Sequence, residues 1–365
     1  MTPTAAPVSG FMSMKGGGYY SRATVGARHV IDGATGLVLD ALERMAPDDD
    51  GTVFTMADMG CADGGTSLGM VVTVLGELRR RLPSRPLQMV YTDLPRNDFS
   101  ELFRTVLGSG HLDGIGDLSV FASGTSFHRP IFPPSTLNLG FSATASHYTD
   151  AVPCAISGHV HMVGATDSER AAWVEQGRLD WERILTSRAR DLAAGGRLVL
   201  VNFGIDEAGR YLGATGGVNM FDMFNTLWAE LRDDGAITSD EYAATNFPQC
   251  YRTVDEFAAP FSDPGGPVRG AGLVLEHVET RVVRCPFAVA FGEHGDAARF
   301  AREYIPTLRS WSEATFAAGL APSRPGAERR AILDRFYDTY ELRVRTSPDG
   351  HAMDYVHCYL VAAKT

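Results

Sequence analysis

The residues of this 365-residue chain best suited to chemistry gather first between Ala57 and Ser67, which read ADMGCADGGTS. Gly60, Gly64 and Gly65 let the backbone turn sharply and come close to a ligand, and the helix start beyond them offers free N–H groups. In dinucleotide enzymes such a turn carries G-x-G-x-x-G, and a P-loop continues into Lys-Ser/Thr. Neither pattern is present, because Gly60 and Gly64 lack that spacing and no lysine follows. The turn carries acid instead. Asp58 and Asp63 would repel a pyrophosphate but suit the ammonium and sulfonium of S-adenosylmethionine. Asp93 closes the next apolar run and is placed to accept both hydroxyls of a ribose. Two strand-ending acids with glycines between them point to an adenosyl ligand.

Other polar groups suggest less. His159 and His161 fall on one face of an extended stretch and could form a metal pair, but no third ligand lies near in sequence. No metal is assigned to them. The five cysteines, Cys61, Cys154, Cys250, Cys285 and Cys358, are scattered and read as buried free thiols in a reducing cytoplasm. A net charge of -11 argues against nucleic acid or an anionic membrane as partner. No run of about 18 apolar residues predicts a transmembrane helix, and no secretory signal is read.

The elements that must position these residues alternate. Val53–Asp58 and Leu87–Asp93 read as buried parallel strands, with a helix from Thr66 to Leu82 between them. A helix over Asp98–Leu107 follows, with Asn97 as its cap, and Leu118–Ala122 and Leu137–Ser142 are further strands. A long helix over Ser168–Ala193 is expected to stop at Gly195–Gly196, before a strand over Arg197–Phe203. This pattern predicts a doubly wound, Rossmann-like α/β sheet. Beyond it, Val218–Leu231, Ala297–Ala318 and Glu328–Tyr340 read as helices, and Leu273–Arg284 and Tyr355–Ala363 as strands. The expected organisation is an α/β domain over 1–204, completed by about 271–290 and 352–365. A mostly helical cap built from 205–270 and 291–351 sits over the substrate site at the carboxyl edge of the sheet.

Six blocks then stop being generic. Met14-Lys-Gly-Gly followed by Ser21 resembles the opening motif of the SABATH family of S-adenosylmethionine-dependent carboxyl and N-methyltransferases. Residues 57–67 resemble that family's ADLGCSSGPN segment, and Thr92–Phe99 (TDLPRNDF) its NDLPxNDF. Gly124–Pro133 (GTSFHRPIFP) resembles PGSFYxRLFP, the stretch from Ser142 to Val152-Pro153 resembles SSYSLHWLSxVP, and Asn246-Phe-Pro-Gln resembles the N-I/F-P-x-Y segment. The chain is similar to salicylate and jasmonate carboxyl methyltransferases and is read as a bacterial-type member.

The resemblance implies roles residue by residue. S-adenosylmethionine is the cofactor. Lys15 lies beside its methionine carboxylate; Asp58, Gly60, Asp63 and Thr66 line the methionine end; Asp93 and Leu94 hold the ribose and adenine. Ser126 and Phe127 contact the adenine, and Ser142 borders the same site. Two departures stand out: Thr66 replaces the family's Asn, and Gly26 replaces a Ser. The family orients its acceptor carboxylate with a Gln and the Trp of a His-Trp pair. The matching residues are His29 and Tyr148, with His147 in the His position, and both replacements can still donate a hydrogen bond.

A carboxylate is ionised at neutral pH and needs no general base, so the implied reaction is in-line methyl transfer to a small-molecule acid, giving a methyl ester. A histidine facing the methyl could instead serve as base for another nucleophile, which keeps N-methylation of a heterocycle open, as well as S-adenosylmethionine binding without catalysis. Met220 and Phe221 occupy the family's large apolar positions. With Thr144 and Phe203 they complete the expected pocket. Asn246 marks where some relatives carry a cation. Relatives commonly dimerise, so a homodimer in the cytoplasm is the expectation.

Overall fold

Short, largely apolar runs in five segments drive them into one parallel sheet. In the computed structural model, which describes residues 24–45 and 47–365, these are β1 (Phe54–Met59), β2 (Leu87–Asp93), β3 (Leu118–Gly124), β4 (Leu137–Ala143) and β5 (Leu192–Ile205). The Met14–Gly17 block, with Lys15, and Ser21 lie outside the described residues. All six residues of β1 are buried, as expected of a central strand covered on both faces. It pairs with β2 from Phe54↔Leu87 to Met59↔Thr92, and with β4 at Ala57↔Gly140 and Asp58↔Phe141. The strand order is β3-β2-β1-β4-β5-β8-β7. β8 (Tyr355–Lys364) runs antiparallel to both β5 and β7 (Leu273–Val283). A two-residue strand, β6 (Arg252–Thr253), pairs with Gly204–Ile205 at the end of β5. The order reverses between β1 and β4, so a crevice opens there beyond the carboxyl ends of the strands.

Each face of the sheet carries helices, and β1 shows the division. Phe54 and Met56 pack with α1 (Val25–Met45), α2 (Leu68–Arg81) and α3 (Phe99–Gly108). Ala57 and Met59 pack on the opposite side with Trp181, Ile184 and Leu185 of α4 (Asp167–Asp191). That side also holds Phe257 and Phe261 of α7 (Val254–Ser262) and Val268 of α8 (Pro267–Gly270). Residues 252–270 therefore pack on the sheet, whereas the sequence placed them in the cap; their apolar side chains share a core with Leu198 and Leu200 of β5 and Leu360 and Ala362 of β8 rather than with the other cap helices. Two further expectations shift at helix ends. Asp98, not Asn97, caps α3 by accepting from the Glu101 N–H at 2.9 Å. Helix α4 ends at Asp191, ahead of the glycines, because Leu192 already pairs with Leu137.

A second group of helices comprises α5 (Met220–Asp233), α6 (Ser239–Ala244), α10 (Ala297–Gly319) and α11 (Gly326–Thr346), with α9 (Pro286–His294) leading into α10. Its interior is aromatic: Phe224, Trp228, Phe316 and Phe336 meet with ring centroids 4.4–6.0 Å apart. Thr238 and Glu241 form a capping box on α6. The same Glu241 carboxylate accepts from Arg324 and from the Ala321 N–H, tying α6 to the α10–α11 connection.

Candidate functional site

The turn after β1 is built from three left-handed residues, Gly60 (φ 83°), Ala62 (φ 50°) and Gly64 (φ 72°). It is hooked onto the end of β2. The Gly60 and Cys61 N–H groups donate to the Thr92 carbonyl at 2.8 and 3.1 Å. Asp93 accepts from the Ala62 N–H at 2.8 Å and the Leu94 N–H at 2.7 Å, one bond to each carboxylate oxygen. Asn97 donates its side-chain amide to the Ala62 carbonyl at 2.8 Å, which explains why it does not cap α3. Asp58 is buried and accepts from the Ser67 hydroxyl at 2.5 Å.

A Cβ on Gly60 would lie 2.5 Å from that of Ala145 and 4.0 Å from the Phe127 ring. The turn thus touches both the segment after β3 and the segment after β4. Gly60→Ala is expected to destabilise the fold by about 2–4 kcal/mol, from the left-handed backbone and the overlap together. Urea unfolding with an unchanged midpoint would count against this geometry.

Two buried acids dominate the electrostatics. Burial pushes the Asp58 carboxyl up to about 7, with the nearby Asp93 charge adding and the Ser67 bond opposing. Asp93 is also raised by burial, against the lowering effect of its two backbone bonds. A cation placed between them would restore both to the ionised form, and each Asp93 oxygen keeps a lone pair for a ribose hydroxyl. The residues present therefore fit a cationic adenosyl ligand. Asp63 and Thr66 are buried in the same turn, where Asp63 also accepts from the Gly65 N–H at 3.1 Å; Leu94 is half-buried beside Asp93. Ser126 and Phe127 are half-buried in the segment after β3. Ser142 donates to the Met59 carbonyl at 2.7 Å, which makes it a brace for the end of β1.

Ala145 opens the segment that carries His147 and Tyr148. The preceding Thr144 takes φ 54° and donates its N–H to the Val201 carbonyl, turning the chain over the end of β5. His147 is buried, with ring centroids 4.2 Å from Tyr148, 4.8 Å edge-on from Phe203 and 6.0 Å from Tyr251. Its carbonyl accepts from the Cys250 N–H, and Tyr148 bridges to Gln249, so residues 147–149 and 248–250 run side by side. Tyr251 also lies 4.8 Å from His161 and 6.0 Å from Phe221, and donates to Gln249 Oε1 at 3.2 Å. Phe221 stacks on His161 at 4.0 Å. Met220 packs beneath, against Gly213.

The structure thus gathers His147, Tyr148, Phe203 and Phe221 around Tyr251. It leaves His29 exposed on α1, outside the ring contacts of this chamber. The same helix explains the Gly26 departure: a Cβ there would lie 2.1 Å from the Tyr355 ring. His159 and His161 are tied to each other, the His161 N–H donating to His159 Nδ1 at 3.1 Å. They lead into a short 3-10 turn (Met162–Gly164), where His161 accepts from the Val163 N–H and His159 faces Asp222 at 3.3 Å. The Asn246 amide is engaged by the Ile156 N–H at 3.0 Å and the Thr245 carbonyl at 2.9 Å.

Three residues of the chamber escaped the sequence reading as pocket walls: Tyr251, His161 and His357. His357, on β8, pairs with Phe203 across the sheet and lies 4.1 Å from its ring. Burial pushes His147 and His161 well below the ordinary imidazole range, with neighbouring histidines adding, and lowers His357 to about 3. All three rings are neutral at pH 7. For Tyr251 a signal existed, since it closes the NFPQCY run; for His357 none did.

Comparison with known proteins fits this geometry. The chain is 25% identical over 249 residues to indole-3-acetate O-methyltransferase 1 of Oryza sativa subsp. japonica, covering 60% of this chain and 61% of that protein. It is 26% identical over 270 residues to gibberellic acid methyltransferase 2 of Arabidopsis thaliana, covering 67% and 68%. The chain thus spans about six- to seven-tenths of the length of these relatives. Among solved structures, a loganic acid methyltransferase with SAH shares the fold, with a TM-score of 0.76 at 20% identity over 97% of this chain and 99% of that one. A family model described as SAM dependent carboxyl methyltransferase matches residues 10–265, the span that holds the Asp58 turn, Asp93, His147 and Tyr251 alike, and the chain belongs to that family.

Proposed function

We propose that the protein methylates the carboxylate of a small acid, with an aromatic or otherwise cyclic body, to give a methyl ester. S-adenosylmethionine supplies a methyl group on a positively charged sulfur, already activated for displacement. A carboxylate oxygen bonds to the methyl carbon as the carbon–sulfur bond breaks; sulfur keeps the electron pair, and both opposite charges are neutralised.

The observation that carries this reading is the neutral, buried cluster of rings around His147. An imidazole held far below its usual range is a poor base at pH 7, whereas a carboxylate needs none. His147 Nδ1 has no hydrogen-bond partner among the described residues, and with Tyr148 it is suited to orient a carboxylate without protonating it. Phe203, Phe221 and Tyr251 would enclose the acid's body and exclude water. Relatives named for indole-3-acetate, gibberellic acid and loganic acid favour ring-bearing acids.

On the same reading Asp58, Gly60, Asp63, Thr66, Asp93, Leu94, Ser126, Phe127 and Ser142 hold or support the cofactor, joined by Lys15. Thr144 and Met220 border the acid, His29 stands apart from it on the exposed face of α1, and residues 205–251 with 291–351 form the cap. The resemblance also carries a bacterial-type enzyme, homodimeric and cytoplasmic.

Incubation with methyl-labelled cofactor and a panel of small acids and purines tests the reaction. Base-labile label is expected; base-stable label on a ring nitrogen would overturn it in favour of N-methylation, and binding with no transfer would leave a sensor. Tyr148→Phe is expected to lower turnover about tenfold, the value of one hydrogen bond to a charged group. Its affinity for S-adenosylhomocysteine, read by calorimetry, should not change.

A further inference from the structure

We propose that Arg188 is a positioning residue for the adenine side of the cofactor site, acting through the main chain of residues 127–131. Arg188 lies in the last turn of α4 and is 1% exposed. Its Nη1 donates to the Phe127 carbonyl at 3.0 Å, and its Nη2 to the Arg129 carbonyl at 2.6 Å and to Asp191 Oδ2 at 2.8 Å. The same Asp191 oxygen accepts from the Ile131 N–H at 2.9 Å. Residues 127, 129 and 131, alternate positions of the segment after β3, are all bonded to one buried ion pair.

That segment has no ladder of its own at this point, because β3 ends at Gly124. The ion pair takes the place of a neighbouring strand. Phe127 stands over the turn after β1, 4.0 Å from where a Gly60 Cβ would lie. Arg188 Nη1 is also 3.8 Å from the sulfur of Met59, the last residue of β1. One planar guanidinium therefore sets the gap between the two walls that the cofactor must enter.

A buried ion pair adds little net stability over apolar groups of the same volume, although losing one partner is costly. What the fork provides is geometry. A lysine keeps the charge but cannot hold two carbonyls and a carboxylate in one plane.

The inference rests on reading Ser126–Phe127 as the adenine contact, so the experiment separates the two. Calorimetry would measure S-adenosylhomocysteine and S-inosylhomocysteine binding to the intact protein, to Arg188→Lys, to Asp191→Asn and to Phe127→Ala. Expected are a tenfold or greater loss of S-adenosylhomocysteine affinity in Arg188→Lys and a narrowed preference for adenine over hypoxanthine. Asp191→Asn should shift both in the same direction by a smaller factor. A purely structural role would lower the melting temperature while leaving affinity and base preference of the folded protein intact, and that result would overturn the proposal. So would failure of both Arg188→Lys and Asp191→Asn to fold, which would make the pair scaffold. If Phe127→Ala binds as tightly as the parent, the adenine assignment fails first, whatever Arg188 does.

Discussion

Between pH 7 and pH 5 the affinity for S-adenosylhomocysteine is expected to fall about 50-fold, about fivefold over the first unit and close to tenfold over the second. The cause is Asp58, whose buried carboxyl is pushed up to about 7 in the ligand-free protein. On the proposed reading its ionised form holds the ligand's ammonium, so below that pH binding must first expel a proton. Asp58→Asn should bind weakly at every pH and show a flat profile. The effect on stability has the opposite sense. Because the folded value lies above the ordinary 3.8, the folded protein holds this proton more tightly than the unfolded chain does. The contribution is complete below about pH 4 and is lost as pH rises through 7. The rise in melting temperature produced by S-adenosylhomocysteine should therefore be larger at pH 8 than at pH 6. A pH-independent affinity between 5 and 7, with circular dichroism showing the fold intact, would refute the assignment.

Asp93→Ala is expected to weaken the same ligand at least 100-fold. Two charge-assisted bonds to a buried ribose, at about 1.5–3 kcal/mol each, supply that much. The Ala62 and Leu94 N–H groups also lose their acceptor, so the turn after β1 would lose its hold on β2. Asp93→Asn separates the contributions: it can still accept one backbone bond and one hydroxyl but lacks the charge, and should fall between. Calorimetric affinity within twofold of the parent in Asp93→Ala would remove Asp93 from the site.

The parts legible in sequence were those set by local chemistry. Buried β1 and β2 announced themselves as apolar runs ending in Asp58 and Asp93, and the glycines between them could only be a turn. Capping boxes at Thr238/Glu241 and Thr253/Glu256 mark the starts of α6 and α7; their T-x-x-E signature is local and legible, although neither helix is among the expected elements. The chamber was less legible because long-range pairing sets it. His357 faces Phe203 only through the β5–β8 register, and Tyr251 reaches His147 through the 147–149/248–250 bridge. Arg188 and Asp191, three apart on a helix, look in sequence like an ordinary solvated pair; only the packing of α4 on the sheet buries them.

The position of β8 sets an order on biosynthesis. β5 and β7 are separated in the sheet by a strand translated some 70 residues after β7. Until that strand emerges from the ribosome and slots in, β5 presents an unsatisfied apolar border and His357 is missing from the chamber. The nascent chain is then exposed to self-association, and sequences that fill this slot late should depend on chaperones for their yield.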